Sequence, residues 1–198
     1  MKGLKGGEMR KIFLLFAVFL MAISLVLAVE DVSANSRENF GKEVSASSGN
    51  YTTHDGESVE IQRNGELKIH SGDIEVNSSL EITTEKNESD NSTKFATNLS
   101  NGRHAEIKIM PSTASATAIA RLKLVNCIAS EGCTIELKEV GSQNQTKAVY
   151  EVKAQKNSKV LGVFNAKMDV QTQVDAETGD VVQTKKPWWA FLAVESNQ

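Results

Sequence analysis

From residue 58 onward, apolar and polar positions alternate in short runs separated by turn residues, the pattern of strands with one buried face. Residues 58–61 precede Asn64-Gly65, a pair suited to a tight hairpin, and residues 67–70 precede Ser71-Gly72-Asp73. Residues 74–84, 94–99 and 105–110 continue the series, so 57–110 reads as a β-meander. Pro111 ends it, and the Ala-rich stretch 112–122 predicts a helix capped by its leading Ser and Thr, with Ile119 and Leu122 facing inward.

The alternation then resumes with a clear period of two. Ile135 and Leu137 face one way; Ala148, Tyr150, Val152 and Ala154 share a face, as do Met168, Val170, Thr172 and Val174. Lys167, Asp169, Gln171, Gln173 and Asp175 take the opposite side, which predicts antiparallel strands with a polar outer surface. Residues 156–165 read as a long connection between two of these strands, and Asp175-Ala176-Glu177-Thr178-Gly179 as a turn. The expected fold class is α+β, mostly antiparallel β, with one helix packed on an antiparallel sheet over residues 111–194.

Upstream the pattern changes. Residues 12–29 are apolar except for Ser24, follow a basic stretch and precede Glu30 and Asp31, so 1–29 is expected to be a signal peptide or a signal-anchor helix. Val26-Leu27-Ala28 and Val32-Ser33-Ala34 both satisfy the small-residue cleavage rule, while the run is also long enough to cross a bilayer. Cleaved or not, the remainder is expected outside the membrane, secreted or anchored to it through residues 12–29. Residues 30–56 hold little to bury and read as a flexible polar tether.

Charge narrows the partners. Residues 12–198 carry 18 Lys and Arg against 24 Asp and Glu, a balance of −6 without a basic stripe, which argues against nucleic acid. Cys127 and Cys133 flank a turn-like Ser-Glu-Gly and are expected to form a disulfide on the oxidising side of a membrane; no further ligands suggest a metal. Asn-x-Ser/Thr triplets at Asn50, Asn77, Asn87, Asn91, Asn98 and Asn144 are candidate glycosylation sites, with surface strands rich in Asn, Ser and Thr as the plainer account.

Ala148-Val149-Tyr150-Glu151-Val152, followed by Val174-Asp175-Ala176-Glu177-Thr178-Gly179-Asp180-Val181 and preceded by a helix, resembles the PepSY domain over roughly residues 111–184. The cysteine-bounded insertion after the helix and the 156–165 connection depart from that family's pattern. The chain with its Pro187-Trp188-Trp189 ending is also similar to secreted archaeal surface proteins. The PepSY resemblance implies a small, non-catalytic, extracytoplasmic domain that modulates peptidases or binds peptides or proteins, without cofactors and without catalytic residues to carry over.

The residues themselves offer no catalytic constellation. His54, His70 and His104 are far apart in sequence, and neither a Gly-x-Ser-x-Gly elbow nor a phosphate-binding glycine loop occurs. Asp175, Glu177 and Asp180 lack the spacing of an EF-hand. Two apolar spots stand out: Val160, Leu161, Val163 and Phe164 in one, and Trp188, Trp189 and Phe191 in the other. They either cover an open sheet face or form a surface for a partner protein or the membrane interface. The expectations are an exported binding module, a glycosylated structural component of the envelope, or, third, a secreted hydrolase.

Overall fold

The computed structural model describes residues 41–142 and 145–195. They form thirteen strands and one α-helix: β1 (Val44–Ser45), β2 (Gly49–Thr52), β3 (Ser58–Arg63), β4 (Leu67–Ser71), β5 (Ile74–Ser78), β6 (Ile82–Lys86), β7 (Thr93–Asn98), β8 (His104–Ile107), α1 (Pro111–Leu122), β9 (Thr134–Val140), β10 (Lys147–Val160), β11 (Phe164–Asp175), β12 (Val181–Lys185) and β13 (Ala193–Glu195).

The expected α+β class is corrected: the described residues are mostly β. One sheet runs β12-β11-β10-β9-β5-β4-β3-β2 through both the meander and the second half, and a smaller sheet has the order β1-β6-β7-β8. The large sheet is mixed, because β5 and β9 pair in parallel with Asn77 opposite Glu136 and Ser78 opposite Leu137. The meander does not run straight on. After β5 the chain passes into the small sheet, which leaves the β5 edge open, and β9 returns to fill it after α1. The expected signal or anchor helix lies outside the described residues.

Alternation places the core correctly. Val59, Ile61, Leu67, Ile69, Val76, Ile135, Leu137, Tyr150, Val152, Met168, Val170 and Val174 are buried from the large sheet, and Ile82, Phe95, Ala105 and Ile107 join them from the small one. Each Val, Leu, Ile, Phe or Met among them contributes on the order of 1.5–3 kcal/mol when fully buried. Tyr51 and Phe95 meet edge to face at 5.7 Å and tie β2 to β7.

Residues 156–165 are not a loop. β10 and β11 stay in antiparallel register from Val149 opposite Asp175 to Val160 opposite Phe164. The stretch reads as polar because β9 ends at Thr134 opposite Lys153, leaving the far end of the hairpin beyond the covered part of the sheet. Ser158 is the exception there, buried with its hydroxyl donating to the Ala166 carbonyl at 3.2 Å.

Helix α1 starts one residue earlier than its sequence suggests, with Pro111 in the first turn and no side-chain cap from Met110. Its buried stripe is Pro111, Ala114, Ser115, Ala118 and Leu122, with Ile119 half-buried. Small residues let it approach β4, β5, β10, β11 and β12. A carboxylate from elsewhere serves its N-terminus: Glu57 Oε1 accepts from the Ser112 hydroxyl at 2.7 Å and from the Ser71 hydroxyl. Negative charge is favoured at that end of a helix. We expect Glu57→Ala to lower stability by about 1–2 kcal/mol, read as an earlier denaturant midpoint at unchanged slope, with Lys42→Ala leaving the midpoint in place.

Candidate functional site

Polar or exposed apolar side chains gather at three places: the PepSY-like motif, a polar cluster on the outer sheet face, and the far end of the β10–β11 hairpin. The motif residues form a structural node. Tyr150 is fully buried and its hydroxyl donates to the Ile109 carbonyl at 2.8 Å, while burial pushes its phenol far above the usual range. The Ala176 carbonyl accepts from the Lys108 and Ile109 amides, and the Ala176 amide donates to Ala148. Gly179 has φ +79° and a side chain there would press on Ile109, so the turn admits little else.

Asp175 closes that turn. Its carboxylate accepts from the Glu177 and Thr178 amides and, at 2.7 Å, from Lys147 Nζ. Burial acts to raise its pKa, but these donors outweigh it and hold the group below the ordinary carboxylate value. Glu177 pairs with Arg103 at 2.7 Å, and Asp180 accepts from the Thr178 hydroxyl. Asp175 and Glu177 line, with Arg103 and Lys147, an open cleft of about 910 Å³, yet its charges are matched in pairs.

The outer face of β9–β10–β11 is less exposed than its polar sequence suggests. Val149, Glu151, Gln173 and Asp175 are all buried. Glu151 accepts from Lys138 Nζ at 2.6 Å, Lys153 Nζ at 2.8 Å, Gln173 Nε2 at 2.9 Å and Gln171 Nε2. Sequence reasoning missed this cluster, whose only signal was an acidic residue flanked across two strands by Lys and Gln.

The three histidines remain apart. His54 Nδ1 lies 3.3 Å from Asp90, His104 Nδ1 is 3.1 Å from Asn98 Oδ1, and His70 Nε2 is 3.8 Å from Glu75. Among the described residues, no three His, Cys, Asp or Glu groups gather as a metal site. Cys127 and Cys133 are bonded, with Cα atoms 5.2 Å apart, around a short 3-10 turn. Closing so small a loop contributes about 2 kcal/mol. Asn50, Asn77, Asn91 and Asn98 are exposed, Asn87 is buried, and Asn144 lies outside the described residues.

The hairpin end and the tail are brought together. β13 lies along β10, with Val160 opposite Ala193 and Lys159 opposite Val194, and the Leu161 amide donates to the Leu192 carbonyl at 2.8 Å. Pro187 leads into a 3-10 helix, Trp188–Leu192. One face of it returns to the core through Trp189 and Ala190. The other does not: Trp188 and Phe191 are 81% and 77% exposed, three residues apart and therefore on one side of the turn. Leu161, Val163, Phe164 and Val194 are 59–73% exposed beside them, and Val160 is half-buried. The tail thus packs on the core with Trp189 and Ala190 and leaves Trp188 and Phe191 outside.

Leu161 adds an oddity. It sits at φ 52°, a left-handed conformation that Asn or Gly adopts more cheaply, and its side chain lies in solvent. Folding alone gives no reason for Leu there.

No family model, curated protein or solved structure matches the chain.

Two outcomes are expected. Leu161→Asn retains or raises stability, by up to about 1 kcal/mol, because the backbone strain is relieved and no buried contact is lost; thermal unfolding checks this. For Glu151, burial acts to raise the carboxyl, but Lys138, Lys153 and Gln173 hold it at about 2, against an ordinary value of 4.5. A depressed carboxylate adds stability that is present above its unfolded pKa and lost as pH falls through the folded one. Denaturant titration should therefore show the native chain losing stability between about pH 5 and 2. Glu151→Gln should be less stable at pH 7 by about 1–3 kcal/mol and flatter across that window.

Proposed function

We propose that this chain is an exported, non-catalytic binding domain of the cell envelope, which docks through the apolar end of the β10–β11 hairpin and the tail beside it. The observation that carries this reading is the exposure of Leu161, Val163, Phe164, Trp188, Phe191 and Val194 on ordered, hydrogen-bonded backbone. Large apolar side chains gathered in water mark interaction surfaces.

Several features support the setting. The apolar run at residues 12–29 suits export, the Cys127–Cys133 bond suits an oxidising compartment, and the exposed Asn50, Asn77, Asn91 and Asn98 are suited to carry glycans. None of these four lies in the hairpin end or the tail, so glycans on them would leave that surface's own residues unmodified. The PepSY resemblance fits a non-catalytic role, since Tyr150, Asp175, Ala176 and Gly179 are all engaged in holding the fold. No helix among the described residues is long and apolar enough to cross a membrane.

The test places a photo-crosslinking amino acid at Phe191, or at the exposed Val182 of β12 as control, in the full chain expressed in its own cells. Adducts at 191 and none at 182, on a chain cleaved by protease added outside the cells, are expected. Failure of position 191 to capture any lipid or protein would remove the docking surface.

A further inference from the structure

We propose that the apolar end of β10–β11 and the tail contacts an anionic lipid bilayer, seating its aromatic side chains among the headgroups. This rests on the reading of that end as the docking surface and adds its occupant.

Charge distribution is the first argument. Residues 156–167 and 185–194 contain five lysines, Lys156, Lys159, Lys167, Lys185 and Lys186, and no acidic residue. The rest of residues 12–198 holds 13 Lys and Arg against 24 Asp and Glu. Even with Glu195, which closes β13 opposite Ser158, this end of an acidic domain is net basic, and the same end carries its exposed aromatics. Anionic lipid surfaces attract such clusters, and the effect falls off within a Debye length.

Side-chain type is the second. Trp at the level of the headgroups, with Phe, Leu and Val reaching the acyl boundary and Lys turning back toward phosphates, is what a membrane interface accommodates without a matching pocket. Trp188 and Phe191 project from one side of the 3-10 turn while Trp189 anchors the other side to the core. The hairpin end supplies Leu161, Val163 and Phe164 next to them, on backbone already ordered before contact. Little conformational freedom remains to be lost on docking. The left-handed Leu161 fits this account, because it places an apolar side chain at the tip where the fold would favour Asn or Gly.

Chain length is the third. Residues 30–40 separate the apolar run from the first described residue, a stretch whose greatest reach is roughly 40 Å. An uncleaved run would hold the domain within reach of the lipid surface.

Both tryptophans of the chain are in the tail, so its intrinsic emission reports this element alone. The full chain carrying Trp189→Phe, which leaves Trp188 as emitter, is reconstituted in vesicles of equal phosphatidylglycerol and phosphatidylcholine. Relative to detergent, Trp188 emission should shift to shorter wavelength and be quenched by lipids brominated on their acyl chains. Lys185→Glu with Lys186→Glu, and separately Phe164→Ser with Phe191→Ser, should abolish both effects at unchanged denaturation midpoints. Phosphatidylcholine alone should quench less. Emission in vesicles equal to that in detergent, without quenching, would overturn the proposal. So would a shift that grows with protein concentration and is insensitive to brominated lipid, which means self-association. Protein adducts at position 191 with unquenched Trp188 would overturn the bilayer as occupant and keep the docking surface.

Discussion

The register of β10 against β11 is the constraint on which the rest depends. Twelve residue pairs run without a slip from Val149 and Asp175 to Val160 and Phe164. A shift by one residue would exchange the faces of every side chain, exposing Tyr150, Val152, Met168 and Val174 together. The register is fixed at one end by the Asp175 turn and by Ala176 bridging to Ala148 and to Lys108-Ile109. At the other end it carries Leu161 to Phe164 past the end of β9, where the tail joins along β13. The same ladder thus connects the best-packed part of the domain to its most exposed apolar part.

Electrostatics divides along that ladder. Near the turn, carboxylates are matched: Asp175 to Lys147, Glu177 to Arg103, and Glu151 to Lys138 and Lys153. Buried carboxylates need such donors, because an unpaired charge out of water costs far more than the pair contributes. Those acids and bases are committed to structure. The far end is different in composition: Lys156, Lys159, Lys167, Lys185 and Lys186 give its segments a basic excess that the rest of the domain does not have.

How much of this was legible in the sequence follows from what each signal measures. Period-two alternation reports one-sided burial, so the inward faces of β9, β10 and β11 were read correctly, and the short Cys127–Cys133 spacing gave the bonded pair. Alternation does not report which edges meet. The parallel pairing of β5 with β9 depends on Asn77 and Ser78, whose local sequence says nothing of Glu136 or Leu137, and the large mixed sheet was therefore missed. The polar stretch 156–165 reads as a connection between strands because strands without a covering layer lose the apolar signal, although their backbones remain paired. The tail was legible as a unit of apolar residues but not in its division. Only the 3-10 turn separates Trp189, which packs inward, from Trp188 and Phe191, which do not. Glu57 escaped notice since it serves α1 from a turn 55 residues earlier.

The central claim is that an ordered hairpin end and tail meet an anionic lipid surface while the remainder of the domain stays in water. Amide hydrogen exchange of the full chain, compared between detergent and phosphatidylglycerol-containing vesicles, addresses it most directly. The account predicts slowed exchange confined to peptides covering residues 156–167 and 188–195, with the β2–β5 strands and α1 unchanged. Slowed exchange spread over the whole domain, or confined to the Arg103 and Asp175 cleft, would contradict it.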